Sequence, residues 1–311
     1  RRTSSMSKPV LVYGVGVAGA ATINFLLRQN IDVIAADDRL NEAKQLELSK
    51  LGIEVVTAPS PDALRDLVAS SEYVAPAPGI PETHPVILEA LTQKKSVKTE
   101  LDIAYEWESQ RIGGARPMLA VTGTDGKTTT VMMAEAILQA AGHSSIACGN
   151  TEVPLVEALD MAVDSFVVEA SSFRLAFIES FRAEASAWLN FDADHLDWHK
   201  SMKSYEEAKA RLWRNVVADD TAIGVSGENA VMRHLQNAAC RRRVVGGSGD
   251  YRTIDGILSG PQGVIIAESD LSRSLPHDVL NALVASALCI ESGLATSSHD
   301  LMLPNPIRCT E

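Results

Sequence analysis

Along residues 9 to 107, short apolar and β-branched runs (VLVYG, IDVIAA, IEVVTA, SEYVAPA) alternate with stretches such as TINFLLRQ and NEAKQLELSKLG, whose apolar positions recur at helical spacing. Strand and helix in turn predict a parallel sheet with crossover helices. Between Ser109 and Pro117 the sequence SQRIGGARP loses this periodicity and gains Gly, Arg and Pro, which marks a linker. The alternation then resumes with MLAVTG, a helix after Lys127, SIACGN, SFVVEASSF, ASAWLNFDADH and a helical stretch from Ser204 to Asn215. These strands are apolar throughout, as in a sheet covered on both faces. Residues 251 to 267, YRTIDGILSGPQGVIIA, carry Asp-Gly and Gly-Pro turn signals between apolar runs and predict antiparallel structure at an edge. VLNALVASALCIESG reads as an amphipathic helix ending at Gly293, and the residues beyond it read as loop.

The glycines add chemistry to this pattern. Gly14, Gly16 and Gly19 form GxGxxG between the first strand and the first helix, where small residues let backbone N–H groups approach a diphosphate. Asp37 and Asp38, at the end of the second strand, are then candidates to accept from ribose hydroxyls. A glycine-rich turn without a ligand reads the same way, and the motif does not say which nucleotide would bind. The expected fold class is α/β: a Rossmann-like domain over residues 9–108, a linker at 109–117 and a P-loop α/β domain over 118–303. Residues 1–8 are expected to be disordered or an upstream extension, and 304–311 to begin a further linker. A chain of 311 residues suits two such domains.

The second glycine motif, GTDGKTTT at 123–130, departs from GxxxxGK[ST] because position 121 is Val. It keeps the parts with a physical task. Lys127 can reach β- and γ-phosphates, Thr128 can ligate Mg²⁺, and the loop N–H groups can cradle oxygens. Glu169 ends the apolar run FVVE, where a carboxylate can reach a metal held by that loop. The segment from Asn190 to His199, NFDADHLDWH, concentrates carboxylates and imidazoles. His195 and His199 have the spacing of a zinc pair but lack a zincin's internal Glu, so hard-cation binding beside a nucleotide fits better. Asp197 and His199 read as caps of the next helix. Lys209 falls on a helix whose Tyr205, Leu212 and Trp213 face inward, and by local pattern it is a snorkelling surface lysine.

Bulk properties limit the partners. The net charge of −12 opposes general nucleic-acid binding, and 46% hydrophobic with 22% charged residues is an ordinary globular composition. Cys148, Cys240, Cys289 and Cys309 form no CxxC, which favours a reducing cytoplasm over a disulfide framework. Arg1, Arg2 and Lys8 ahead of an apolar stretch imitate a twin-arginine signal. The regular glycines and the second strand-like run predict a folded unit instead, with Met6 a candidate start. A monomer without membrane insertion is expected.

Taken together, VLVYGVGVAG with Asp37-Asp38-Arg39, APGIP at 77–81, VTGTDGKTTT, CGN at 148–150, VVEASSF, LNFDADHLDWH and YEEAKARL resemble the Mur ligase family, most closely its D-glutamate-adding branch. The resemblance covers nearly the whole chain in order. It implies that the first domain holds the uridine diphosphate of UDP-N-acetylmuramoyl-L-alanine through Gly14, Gly16, Val17, Ala18, Gly19, Asp37, Asp38, Arg39 and Gly79. Asn150, Ser171 and His195 would meet the rest of that substrate. MgATP would lie on Gly123, Thr124, Asp125, Gly126, Lys127, Thr128 and Thr129, with Asn281 near the adenine and Arg308 in the following linker. Thr128, Glu169, His195 and a carbamylated Lys209 would hold Mg²⁺, and Lys127, Glu169, His195 and Lys209 would be catalytic. The resemblance thus reverses the surface reading of Lys209.

The implied reaction is attack of the L-alanyl carboxylate on the γ-phosphate of ATP, giving an acyl phosphate that the amine of D-glutamate displaces. The sequence departs from the family at Asp125 (commonly Asn), Arg174 (usually Gln) and Asp278 (Asn expected). An extra carboxylate at 125 opposes triphosphate binding. The family's third domain, which takes the amino acid, has no counterpart in these residues, so this polypeptide alone is expected not to complete the ligation. Two other readings stand beside this one: another ligase of Mur or folylpolyglutamate-synthase type, and a non-catalytic nucleotide-binding protein.

Overall fold

A computed structural model describes residues 8–295 except 41, 51 and 272. Met6 and the lead-in before residue 8, the end from 296 onward, and Arg308 with it lie outside the described residues.

The first sheet comprises β1 (Val10–Tyr13), β2 (Val33–Asp37), β3 (Val55–Thr57) and β4 (Val74–Pro76), ordered β3-β2-β1-β4 and parallel throughout. The helix Val17–Arg28 returns the chain from β1 to β2, burying Ala20, Ala21, Ile23, Phe25 and Leu26. The stretch after the N-terminal arginines is therefore a folded strand–helix–strand unit. Among the described residues no helix is long and apolar enough to cross a membrane.

The second sheet contains β5 (Met118–Thr122), β6 (Ser145–Gly149), β7 (Ser165–Glu169), β8 (Ala185–Trp188), β9 (Thr221–Val225) and β10 (Arg241–Val245). Its order is β10-β9-β8-β5-β7-β6, again all parallel. β5 and β7 are wholly buried, which explains their uninterrupted apolar runs. β9 and β10 were not legible as strands. β10 is RRRVV, an edge strand whose exposed arginines break any apolar pattern and blunt the edge against further pairing. The expected antiparallel structure is present as β11 (Arg252–Ile254), β12 (Ile257–Gly260) and β13 (Gly263–Ala267).

Two helices differ from their sequence reading. The helix Pro276–Glu291 is not amphipathic: twelve of its sixteen residues are buried, because it packs on the helix Lys127–Ala140. The helix Met202–Ala210 tightens into a 3₁₀ turn at Arg211–Trp213 instead of running on to Asn215. Tyr205, Leu212 and Trp213 are buried, as the apolar spacing required.

One continuous apolar core joins the two sheets, running from Val10, Ile23 and Phe25 to Phe166, Val168 and Trp188. Polar contacts reinforce it. Asp102, wholly buried, accepts at Oδ1 from the backbone N–H groups of Glu179, Ser180 and Phe181 at 2.9–3.0 Å. Trp198 donates through Nε1 to the carbonyl of Pro78 at 3.0 Å.

Candidate nucleotide and substrate site

β5 ends in the loop Gly123–Gly126, and the helix Lys127–Ala140 begins immediately after it. Gly126 has φ 79°, and a Cβ there would meet Asn281 Oδ1 at 2.8 Å, so the turn demands glycine twice over. Asn190, just beyond β8, clamps the loop. Its Oδ1 accepts from the N–H groups of Thr124 (2.8 Å) and Asp125 (2.9 Å), and its Nδ2 donates to the Asp125 carbonyl at 3.2 Å. No role was read for Asn190 from sequence; its position directly after a buried strand was the available signal. The Nζ of Lys127 folds back to donate to Thr124 O at 2.7 Å.

An open cleft of about 390 Å³ gathers Gly123 to Thr129, Asn150, Glu169, Ser171, Phe173, His195 and Lys209. Most of the residues expected at the nucleotide and metal thus share one cavity. Asn281 lies outside that lining, packed behind Gly126. Glu169, 2% exposed, has both oxygens engaged: Oε2 accepts from Thr128 Oγ1 at 2.7 Å and Oε1 from Asn150 Nδ2 at 2.9 Å. Ser171 caps the short helix Ser172–Leu175, accepting from Arg174 N.

Lys209 is not a snorkelling lysine. It is 1% exposed, donates from Nζ to Gly123 O at 2.6 Å, and lies over the Tyr205 ring at 4.6 Å. Burial, with Lys127 nearby, lowers its pKa to about 7. The capping reading of Asp197 and His199 also fails, since Ser201 caps the next helix through Ser204 N. His199 is instead buried, with Nε2 2.9 Å from Ser172 Oγ, and burial together with the charge of Lys209 lowers its pKa to about 4. His195 has φ 53°, packs its ring against Phe173 at a tilt of 59°, and has Nε2 3.2 Å from Asp194 Oδ2.

The other half of the expected site lies at the carboxyl end of the first sheet. Gly14 has φ 90°, and a Cβ on Gly19 would fall 1.8 Å from Gly14 O, so strand and helix touch backbone to backbone there. Gly16 is the N-cap of the following helix, and Val17, its first residue, is 75% exposed with Ala18 beside it. Asp37 is committed to the turn, accepting from Val15 N (2.7 Å) and Arg39 N (2.9 Å). Asp38 accepts from the Tyr13 hydroxyl at 2.7 Å and contacts His84 Nε2 at 2.9 Å. Burial pulls its pKa up, but those hydrogen bonds outweigh it and hold the carboxyl below its ordinary value. Gly79 follows Pro78, the residue held by Trp198, and its α-carbon faces open space.

Among the described residues no group of three or more His, Cys, Asp or Glu converges as a metal cluster. The donor set at Thr128 and Glu169 nevertheless fits Mg²⁺, which takes one or two hard protein oxygens and completes its shell with phosphate and water.

This geometry is accompanied by sequence similarity. The profile of the Mur ligase middle domain matches residues 121–289, more than half the chain. The chain belongs to the Mur ligase family. The profile of the MurD-like N-terminal domain of Mur ligases matches residues 8–99. Curated relatives include the UDP-N-acetylmuramoylalanine–D-glutamate ligases of Frankia casuarinae, 36% identical over 93% of this chain and 62% of that protein, and of Nocardia farcinica, 36% identical over 90% and 59%. The chain spans about three fifths of the length of these relatives. In fold it is similar to the UDP-N-acetylmuramate:L-alanyl-γ-D-glutamyl-meso-diaminopimelate ligase of Neisseria meningitides, with a TM-score of 0.62 at 16% identity, covering 98% of this chain and 100% of that one. Both Mur ligase lobes are thus α/β units on parallel sheets, as the alternation predicted.

Proposed function

We propose that this chain is the nucleotide- and UDP-substrate-binding part of a ligase that joins D-glutamate to UDP-N-acetylmuramoyl-L-alanine at the expense of ATP, in peptidoglycan precursor synthesis. The observation that carries the reading is the single cleft in which Lys127, the Thr128–Glu169 pair and buried Lys209 face Asn150 and Ser171. The similarity to relatives so named supports the choice of substrates.

In this reading Lys127 leaves Thr124 O and swings onto the β- and γ-phosphates, while Asn190 holds the loop by the N–H groups of Thr124 and Asp125 and leaves those at the start of the following helix for the phosphate oxygens. Thr128 and Glu169 would hold Mg²⁺, which would supply charge neutralisation for phosphoryl transfer. The first-sheet glycine turn anchors the UDP end, and Asn150, Ser171 and His195 orient the muramoyl-alanyl end. The substrate carboxylate is thereby fixed against the γ-phosphate, and the barrier falls chiefly through positioning. The acyl phosphate that forms is then open to the amine of D-glutamate.

Lys209 is the candidate for carbamylation. Only a neutral amine attacks CO₂, and a pKa near 7 supplies that form at neutral pH. The carbamate formed would be repelled by Gly123 O and attracted to the Mg²⁺ that Thr128 and Glu169 would hold. A carbonyl resonance from ¹³C-bicarbonate that is absent in Lys209→Met would identify the adduct.

The binding reading is tested by calorimetry. Wild-type chain should bind one MgATP and one UDP-N-acetylmuramoyl-L-alanine, with Lys127→Ala weakening the first at least about tenfold and leaving the second intact. Saturable binding of neither ligand would refute it.

A further inference from the structure

Arg174 occupies a junction that the expected site did not include. It leaves the short helix Ser172–Leu175 and is buried, with its side chain 5% exposed. Its Nε lies 3.2 Å from Oε1 of Glu100, whose side chain is 3% exposed at the start of the first lobe's last helix, Glu100–Glu108. Its Nη1 donates to Asn150 Oδ1 at 2.6 Å. An asparagine amide can sit either way round, and a guanidinium on Oδ1 permits only one: Nδ2 then points at Glu169, to which it donates at 2.9 Å. Glu169 in turn accepts from Thr128. A continuous line of contacts therefore runs Glu100, Arg174, Asn150, Glu169, Thr128, from one lobe to the phosphate loop. Arg174 and Glu100 also line a small, partly open space with Ala18 and Gly19, so the same guanidinium lies between the two expected ligand sites.

We infer that Arg174 is a positioning residue: paired with Glu100, it fixes the Asn150 amide and so presents Glu169 in the orientation that receives a divalent cation with nucleotide phosphates. The inference rests on the MgATP reading above. A bare structural ion pair would need only the Glu100 contact; the second arm to Asn150 is what reaches the cation site. Without that arm the Asn150 amide is held only by its Nδ2 bond to Glu169, so the amide and the carboxylate it steadies are less firmly placed.

The test is Mg²⁺ titration of the binding of a fluorescent ATP analogue to the whole chain, with thermal unfolding measured alongside. Glu100→Gln/Arg174→Met removes both charges together and so leaves no buried charge unpaired. It should bind the analogue in EDTA as the wild type does, yet need about tenfold more Mg²⁺ for half-maximal tightening. Arg174→Lys keeps a cation beside Glu100 without the fork that spans to Asn150, and should shift the Mg²⁺ requirement in the same direction with little change in melting temperature. Either folded variant with the wild-type Mg²⁺ dependence would overturn the inference. Wild-type chain whose analogue binding ignores Mg²⁺ would overturn the MgATP reading itself, and this inference with it.

Discussion

The ammonium of Lys209 lies 2.6 Å from the carbonyl oxygen of Gly123, the first residue of the phosphate loop, inside a protein that leaves this lysine 1% exposed. An interior cation is tolerable only with partners, and here they are one carbonyl and the Tyr205 ring. The pairing ties the helix Met202–Ala210 to the loop after β5.

A pH signature follows. The pKa of Lys209 falls from 10.5 unfolded to about 7 folded, through burial first and Lys127 second. Between those values the unfolded chain holds a proton that the folded chain lacks, so stability rises with pH, by at most roughly 1.4 kcal/mol per pH unit. Below pH 7 the penalty is full and constant. Urea unfolding should show wild type gaining on Lys209→Met from about pH 7 to about pH 10.5. Parallel curves would refute the buried-cation account.

Asp125 is exposed on the phosphate loop. A carboxylate a few ångströms from triphosphate costs about 1 kcal/mol in water, and salt screens it. Asp125→Asn should therefore tighten ATP binding by roughly fivefold at low salt and by less at high salt. Calorimetry at two ionic strengths measures this, and weaker binding by the variant would contradict it.

Asn190 satisfies two loop N–H groups through one oxygen. Asn190→Ala removes the side-chain acceptor from both, leaving Thr124 N–H only its longer contact to the backbone carbonyl of residue 190, and a cost of about 1–3 kcal/mol in stability is expected, together with weaker ATP binding. The UDP substrate should bind unchanged, which equilibrium titration of both ligands would check.

Gly19→Ala places a Cβ 1.8 Å from the backbone oxygen of Gly14, and no side-chain rotation relieves a backbone clash. The turn must open, so UDP-substrate binding should be lost while MgATP binding persists. Loss of both would mean that the two ends are not separable.

The sequence carried the first sheet and most of the second because buried parallel strands are apolar on both faces, and the P-loop because Gly126, Lys127 and Thr128 have few alternative uses. β10 escaped because an edge strand of arginines carries no apolar period. Lys209 escaped because spacing on a helix does not reveal how deeply that helix lies in the protein; only the family resemblance pointed inward. For Asp37 and Asp38, the contacts with Val15 and Tyr13 were not legible, because they arise only once β1 and β2 are paired. The roles of Asn190 and Arg174 depend on partners twenty-four or more residues away, beyond any local pattern.

The proposed ligation is tested most directly by phosphate release from ATP, in the presence of Mg²⁺, UDP-N-acetylmuramoyl-L-alanine and D-glutamate. It should be measured on this chain and on a chimera in which the chain is extended by the part of the Frankia casuarinae relative beyond the match. The account predicts release by the chimera that requires both substrates and is abolished by Lys127→Ala, with no D-glutamate-dependent release from the chain alone. Release by a folded, ATP-binding chimera that is indifferent to D-glutamate would contradict it.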